Sequence, residues 1–302
     1  MVYNAEFKHT FLSNKHYANA TKQAMILMFK CIAHAERKLQ KDLCHFQENE
    51  LIEALEGIGL TNMRMLQNYM TLCSDYVDFA IDSGVSVHTR NPFQTVRARD
   101  FLLLFLANAK TIFSRDDLFR MAHEAPNSQN GALLALIFDG VNVRDQYREL
   151  SSIQKDHLQC ERLAISLPSR TLHVSDDTCR LTKKAANQDE YVSIQGSHVH
   201  RYPLARSPYV FKGMRGNPQA SVSLFRKRLN RLSDYYDAPA LNATNIAYSG
   251  LVYHTKQAVE NGENWDMALQ KATTRFGFHD SSTSRSLLKQ RVQKHLEENS
   301  VA

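Results

Sequence analysis

The sequence predicts a mainly α, two-domain chain with a small β-sheet in its second part, an α+β arrangement. Three observations predict it. Apolar residues recur every three or four positions through most segments, the spacing of a buried helical stripe. Residues 162–174 instead alternate or run apolar around Pro168-Ser169, as a hairpin does. Asn91-Pro92 breaks regular structure between two apolar regions, and 302 residues suit two domains of roughly 100–200 residues each.

The first domain is read as residues 1–85. Asn19-Ala-Thr21 caps a helix that buries Met25, Ile26, Met28, Phe29, Ile32, Ala33 and Leu39. A short helix over 48–56 places Leu51, Ile52 and Leu55 on one side, and Gly57 and Gly59 end it. A long helix starts after Thr61 and runs to Ser83, where Gly84 stops it. Its core face is Met65, Leu66, Tyr69, Leu72, Tyr76, Val77, Phe79 and Ala80. The linker is centred on 86–98 and, with the apolar stretch 101–107, fills 86–110.

The second domain is read as 111–302. Ser114-Arg-Asp-Asp117 is an N-cap with an acidic first turn, opening a helix to Ala125. A buried helix runs from Ser128 to Phe138 and ends at Gly140. After the hairpin, Asp176 opens a helix to Ala186. Strands are predicted at Tyr191–Ile194 and Tyr209–Phe211 in an otherwise irregular 188–217. Helices over 218–236, 242–260, 264–275 and 282–298 close the chain.

With 43% hydrophobic and 23% charged residues, the composition is globular. The longest apolar run, Phe101–Ala107, falls far short of the ~18–20 residues of a membrane span. The first twelve residues lack the basic and apolar regions of a signal peptide. These features predict a cytoplasmic protein. Its five cysteines, without a CxxC pair, read as reduced and mostly buried thiols. His198 and His200 have no cysteine or acidic neighbours at ligand spacing, so no metal and no cofactor is predicted.

Charge is more informative. Residues 1–200 hold twenty-two Lys and Arg against twenty-three Asp and Glu; residues 201–302 hold fifteen against eight. From Arg201 to Ser233 there are eight basic residues and no acidic one. Such a local field suits a polyanion. Within it, Val222, Phe225, Leu229 and Leu232 make a helical apolar seam, while Arg226, Lys227, Arg228 and Arg231 project elsewhere. Clustered cations suit phosphates, and a bidentate Arg suits guanine. Arg206, Lys212 and Arg215 lie in the acid-free loop before that helix.

Several motifs, in order, resemble those of tyrosine recombinases, the phage integrase family. Thr61–Gly84 followed by Asn91-Pro92 looks like the last helix of that family's core-binding domain. Ala135-Leu-Ile-Phe-Asp-Gly-Val141 with Arg148-Glu-Leu150 looks like the first conserved box, and Leu241–Gly250 like the second. The resemblance implies a SAM-like helical core-binding domain and a recombinase-like C-terminal domain. It fails where the chemistry lies. Asn142, or Gln146 by the other count, stands for the first-box arginine; Arg144 lies between them and is a candidate phosphate contact. Thr244, Ala247 and Tyr248 stand for the second-box histidine, arginine and histidine. Pro168-Ser-Arg170 stands where the sheet lysine falls, and the last tyrosine is Tyr253, too early for the nucleophile.

Gly140-Val141, Asn245-Ile246 and Ser249-Gly250 look like the recombinase-like lysogeny repressors of SPbeta-type phages, the MrpR family. That resemblance implies a nucleoid-associated, catalytically inactive repressor of phage genes whose partner is double-stranded operator DNA. By the same resemblance, the helix around 221–232 lies against DNA. The helix starts carrying Thr21 and Lys22, and Thr61, Arg64, Gln67 and Asn68, enter the major groove. The alternatives are an active, divergent recombinase and an adaptor that no longer binds DNA. Release by an antirepressor protein or a peptide, and self-association through the amphipathic 284–296 segment, are left open by the residues. Trp265 reads as a core anchor.

Overall fold

The computed structural model describes residues 2–58, 63–97, 101–102, 106, 109, 111–195, 198–213 and 217–300. The chain divides into two compact units, Met1–Ala107 with His279–Leu288, and Asn108–Phe278 with Lys289–Ala302. Segment 279–288, read from the sequence as part of the second domain, therefore clusters with the first. Among the described residues no helix is long and apolar enough to cross a membrane.

The first unit packs α1 (Ala5–Asn14), α2 (Asn19–Leu39), α3 (Glu48–Gly57) and α4 (Met63–Asp82) around Phe11, Met25, Phe29, Leu51, Leu66 and Tyr76. Helix α1 was not anticipated. Its Lys8 is buried and donates to Glu36, to Asp42 at 3.2 Å and to the Tyr3 carbonyl at 2.9 Å, beneath the Phe29 and Tyr76 rings. Two carboxylates and a carbonyl thus replace the water this ammonium loses. The N-cap of α2 is Ala18, without a side-chain cap, and not the expected Asn19–Thr21. Met65 is 47% exposed instead of lying in the core face of α4. Gly84 ends that turn in the left-handed region, with Val85 N–H bonded to the Ala80 carbonyl at 2.9 Å.

In the same unit the Glu56 carboxylate is buried and receives three donors. These are Leu102 N–H at 3.2 Å, the Ser281 hydroxyl at 2.6 Å, and the Ser284 hydroxyl. Ser281 also accepts from Ser284 N–H at 3.1 Å, capping the last helix of the chain, Ser282–Ser300.

The second unit is built on α6 (Ser128–Phe138), whose residues from Gln129 onward are all buried. Against it pack α5 (Arg115–Glu124), α8 (Asp176–Asn187) and α10 (Ala243–Glu260). The short α7 (Arg148–Ser152) precedes an antiparallel sheet of β1 (Leu158–Gln159), β2 (Ala164–Leu167) and β3 (Arg170–His173) in that order. The hairpin turn is Pro168-Ser169, with Leu167 opposite Arg170. A second hairpin pairs β4 (Glu190–Gln195) with β5 (His198–Pro203). Helices α9 (Val222–Tyr235), α11 (Trp265–Arg275) and α12 (Ser282–Ser300) complete the order.

The strand expected at Tyr209–Phe211 is a single bridge. Lys155 N–H reaches the Pro208 carbonyl and Val210 N–H the Ile153 carbonyl, and no longer ladder forms. Cys160 and Cys179 form a disulfide, correcting the reading of all five cysteines as thiols. The turn after β1 crosses the first turn of α8, bringing the two Cα atoms to 5.7 Å, within bridging reach. Trp265 is only partly buried, with the Lys289 ammonium over its ring.

Candidate nucleic-acid interface

Helix α9 has one apolar and one polar side. Phe225, Leu229 and Leu232 are buried, while Ser223, Arg226, Lys227, Asn230 and Arg231 are exposed. Positions 223, 226, 227, 230 and 231 recur at three- and four-residue steps, so they form one solvent-facing stripe. Three cations stand in it, with Asn230 between them. Asn230 was not among the expected contacts, although its place four residues after Arg226 marks it. The Arg226 guanidinium hydrogen-bonds the Tyr147 hydroxyl, and the Tyr147 ring stacks on Phe225 at 5.7 Å.

Arg228 does not belong to this stripe. It is 1% exposed, and its guanidinium donates to Gln129 Oε1 at 2.9 Å and to the Lys212 carbonyl at 3.3 Å, over the Tyr191 ring. Burial lowers its pKa to about 10, which leaves it charged at neutral pH. The helical geometry gives the reason: position 228 follows Phe225 by three and precedes Leu232 by four, on the buried side. Lys212 is likewise 4% exposed, and its ammonium donates to the Gln188 carbonyl. Desolvation pushes its pKa down. Both residues hold the unit together and are unavailable to a phosphate.

The other expected contacts fall in different places. Arg206 is exposed, and Arg215 and Thr61 lie outside the described residues. In the first unit Arg64, Gln67 and Asn68 form an exposed polar face of α4, whereas Thr21 and Lys22 are half-buried in the first turn of α2. Arg144 is held in place. Its guanidinium donates to the Gly277 carbonyl and lies 3.8 Å from the Phe278 ring centroid.

Arg144 belongs to a knot around the first-box residues. Arg170 donates to both Glu149 oxygens at 3.0 and 2.9 Å, and to the Gly140 and Arg275 carbonyls. Glu149 also accepts from Asn142 N–H at 2.6 Å. Arg275 donates to the Asp139 and His173 carbonyls. The Asp139 carboxylate meets His254 at 3.2 Å and receives Ser175 N–H at 2.7 Å. Three arginines gathered at one place therefore face the protein's own acceptors. In the second box, Ala247 and Tyr248 are buried, and the Tyr253 ring packs 5.4 Å from Phe138. Gly250 is required by packing, since a Cβ there would lie 1.9 Å from the Phe138 carbonyl oxygen.

Two family models match most of the chain. One is described as MrpR, N-terminal core-binding domain, over residues 1–82, and the other as MrpR, C-terminal catalytic domain, over residues 112–300. An uncharacterized SPbeta prophage-derived protein of Bacillus subtilis (strain 168), YopR, is 23% identical over 271 residues, covering 85% of this chain and 82% of its own. Similar solved structures include XerA recombinase, at 10% identity and a TM-score of 0.41, covering 95% of this chain and 98% of that one. The Tn1549 transposon integrase in complex with circular intermediate DNA aligns at 9% identity and a TM-score of 0.42, covering 95% and 99%.

Proposed function

The chain belongs to the MrpR family, and from that premise we propose that it is a sequence-specific DNA-binding repressor of a temperate phage. It grips the duplex on a recombinase-like scaffold and does not cut it. The observation that carries this reading is the α9 stripe, where Arg226, Lys227 and Arg231 face solvent in a stretch with no acidic residue from 201 to 233. Cations neutralise phosphates by releasing counterions, and the intervening Asn230 has the donor and acceptor geometry to read adenine. Arg206 of the same unit joins the proposed contacts, and in the first unit Arg64 and Asn68 on α4 are proposed as contacts of that unit's own.

Two observations support the absence of cleavage. The sequence has no tyrosine after Tyr253, whose ring is packed against Phe138. Arg144, Arg170 and Arg275 are all engaged by carbonyls or Glu149. A second reading, an active recombinase with another nucleophile, is favoured by the family's description of its C-terminal domain as catalytic. Binding of labelled duplexes from a phage genome library, followed by sequencing of the retained fragments, tests repression at defined operators. Enrichment of a few sites is expected, and uniform recovery contradicts the proposal. Leu288 and Val292 are buried within the single chain, so packing within the chain is preferred to self-association through α12.

A further inference from the structure

Beside the three-stranded sheet lies a cavity of about 520 Å³, lined in part by Lys155, Cys160, Glu161, Arg162, Lys183 and Asn187. Three cations and one carboxylate face it. Several exposed cations of this unit are paired, Arg180 with Asp176 and Asp177, Arg201 with Glu190, and Lys271 with Glu263. Among the described residues, Lys155, Arg162 and Lys183 have no acidic partner within ion-pair distance. Like charges around one concavity raise its potential, and an entering anion relieves their repulsion.

The walls of this cavity are built. Arg162 stands two residues after Cys160 in the same 3-10 turn, and Lys183 stands one helical turn after Cys179 on α8. The disulfide ties these two walls together. Lys155 is fixed through its N–H to the Pro208 carbonyl at 2.8 Å, beside the loop that carries Arg206. Gln219, just before α9, donates to the Ser151 carbonyl at 2.8 Å. The cavity thus adjoins the same run of chain that leads into the α9 stripe.

We propose that this cavity binds a phosphate group through Lys155, Arg162 and Lys183. Where that phosphate belongs to a duplex, the site rests on the DNA-binding reading above; a free phosphate is the other source. The test compares the full chain with its Arg162→Gln, Lys183→Gln double variant, both side chains being exposed, after matching their melting curves. One arm measures anisotropy of a labelled 30-base-pair duplex over a series of KCl concentrations. The other titrates pyrophosphate calorimetrically without DNA. If DNA supplies the phosphate, the variant's plot of log affinity against log salt is shallower by about 0.9 per lost contact. If a free anion supplies it, the duplex arm is unchanged while pyrophosphate affinity falls about tenfold or more, as for a lost charge-assisted contact. A variant equal to the parent in both arms overturns the site. If the parent holds no duplex, the repressor reading falls, and the pyrophosphate arm alone decides the cavity.

Discussion

Replacing Arg228 with methionine should weaken the fold, whereas replacing Lys227 with glutamine should weaken only DNA binding. Arg228 gives two hydrogen bonds from a charged donor, to Gln129 and to the Lys212 carbonyl. Such bonds contribute roughly 1.5–3 kcal/mol each. Burial opposes them, as the pKa drawn down to about 10 shows, and cancels part of that gain. Methionine keeps most of the aliphatic volume, so the expected net loss is about 2 kcal/mol. Lys227 is exposed, and its replacement should move stability by no more than about 0.5 kcal/mol. It should instead make the salt dependence of duplex binding shallower by about 0.9. Urea melts and anisotropy across a salt series on both variants separate the two effects. An Arg228→Met variant that keeps the parent's urea midpoint but loses duplex affinity, or a Lys227→Gln variant with an unchanged salt slope, would overturn this assignment of the two residues.

Gly250→Ala forces a methyl group against the Phe138 carbonyl and is expected to cost about 1–3 kcal/mol or more, read as a lower melting temperature. Removing the Cys160–Cys179 bond by a double serine replacement reopens a loop with a separation of 19 residues. On the chain-entropy account this costs about 3 kcal/mol, measured as a lower urea midpoint under non-reducing conditions. Burial holds the His254 imidazole below its usual pKa. Burial alone would raise the Asp139 carboxyl, but hydrogen bonds from His254 and Ser175 outweigh it and hold the pKa down. The fold therefore favours neutral His254, and stability should be lost as pH falls below about 6.5. Urea midpoints at two pH values check this; a His254→Gln variant should lack that part of the decline, and an equal decline in both proteins would contradict it.

The helical frame was legible because burial follows a three- and four-residue rhythm. Met25, Phe29 and Ile32 lie inside as that rhythm requires, and Ser114 and Ser175 cap their helices through Asp117 and Thr178 N–H. Helix α1 was missed because what holds it is a pairing of Lys8 with Glu36 and Asp42, more than twenty residues away. The disulfide escaped for the same reason, since nothing local marks Cys160 and Cys179 as neighbours. At the candidate site, composition located the basic segment but did not sort its cations. Helical position sorts Arg226, Lys227 and Arg231 from Arg228. Lys212 is buried by its tertiary neighbours, with its ammonium on the Gln188 carbonyl. Lys155, Arg162 and Lys183 are spread over twenty-nine positions, and only folding brings them to one cavity.

The most direct measurement uses a nicked duplex that traps a covalent recombinase intermediate, carrying a retained operator fragment and incubated with the full chain. The same samples are run on native and on denaturing gels. A DNA-binding protein that does not cleave gives a retarded native complex that dissolves as salt is raised, and no protein-linked DNA after denaturation. Covalently linked DNA on the denaturing gel, or no retardation at low salt, would contradict it.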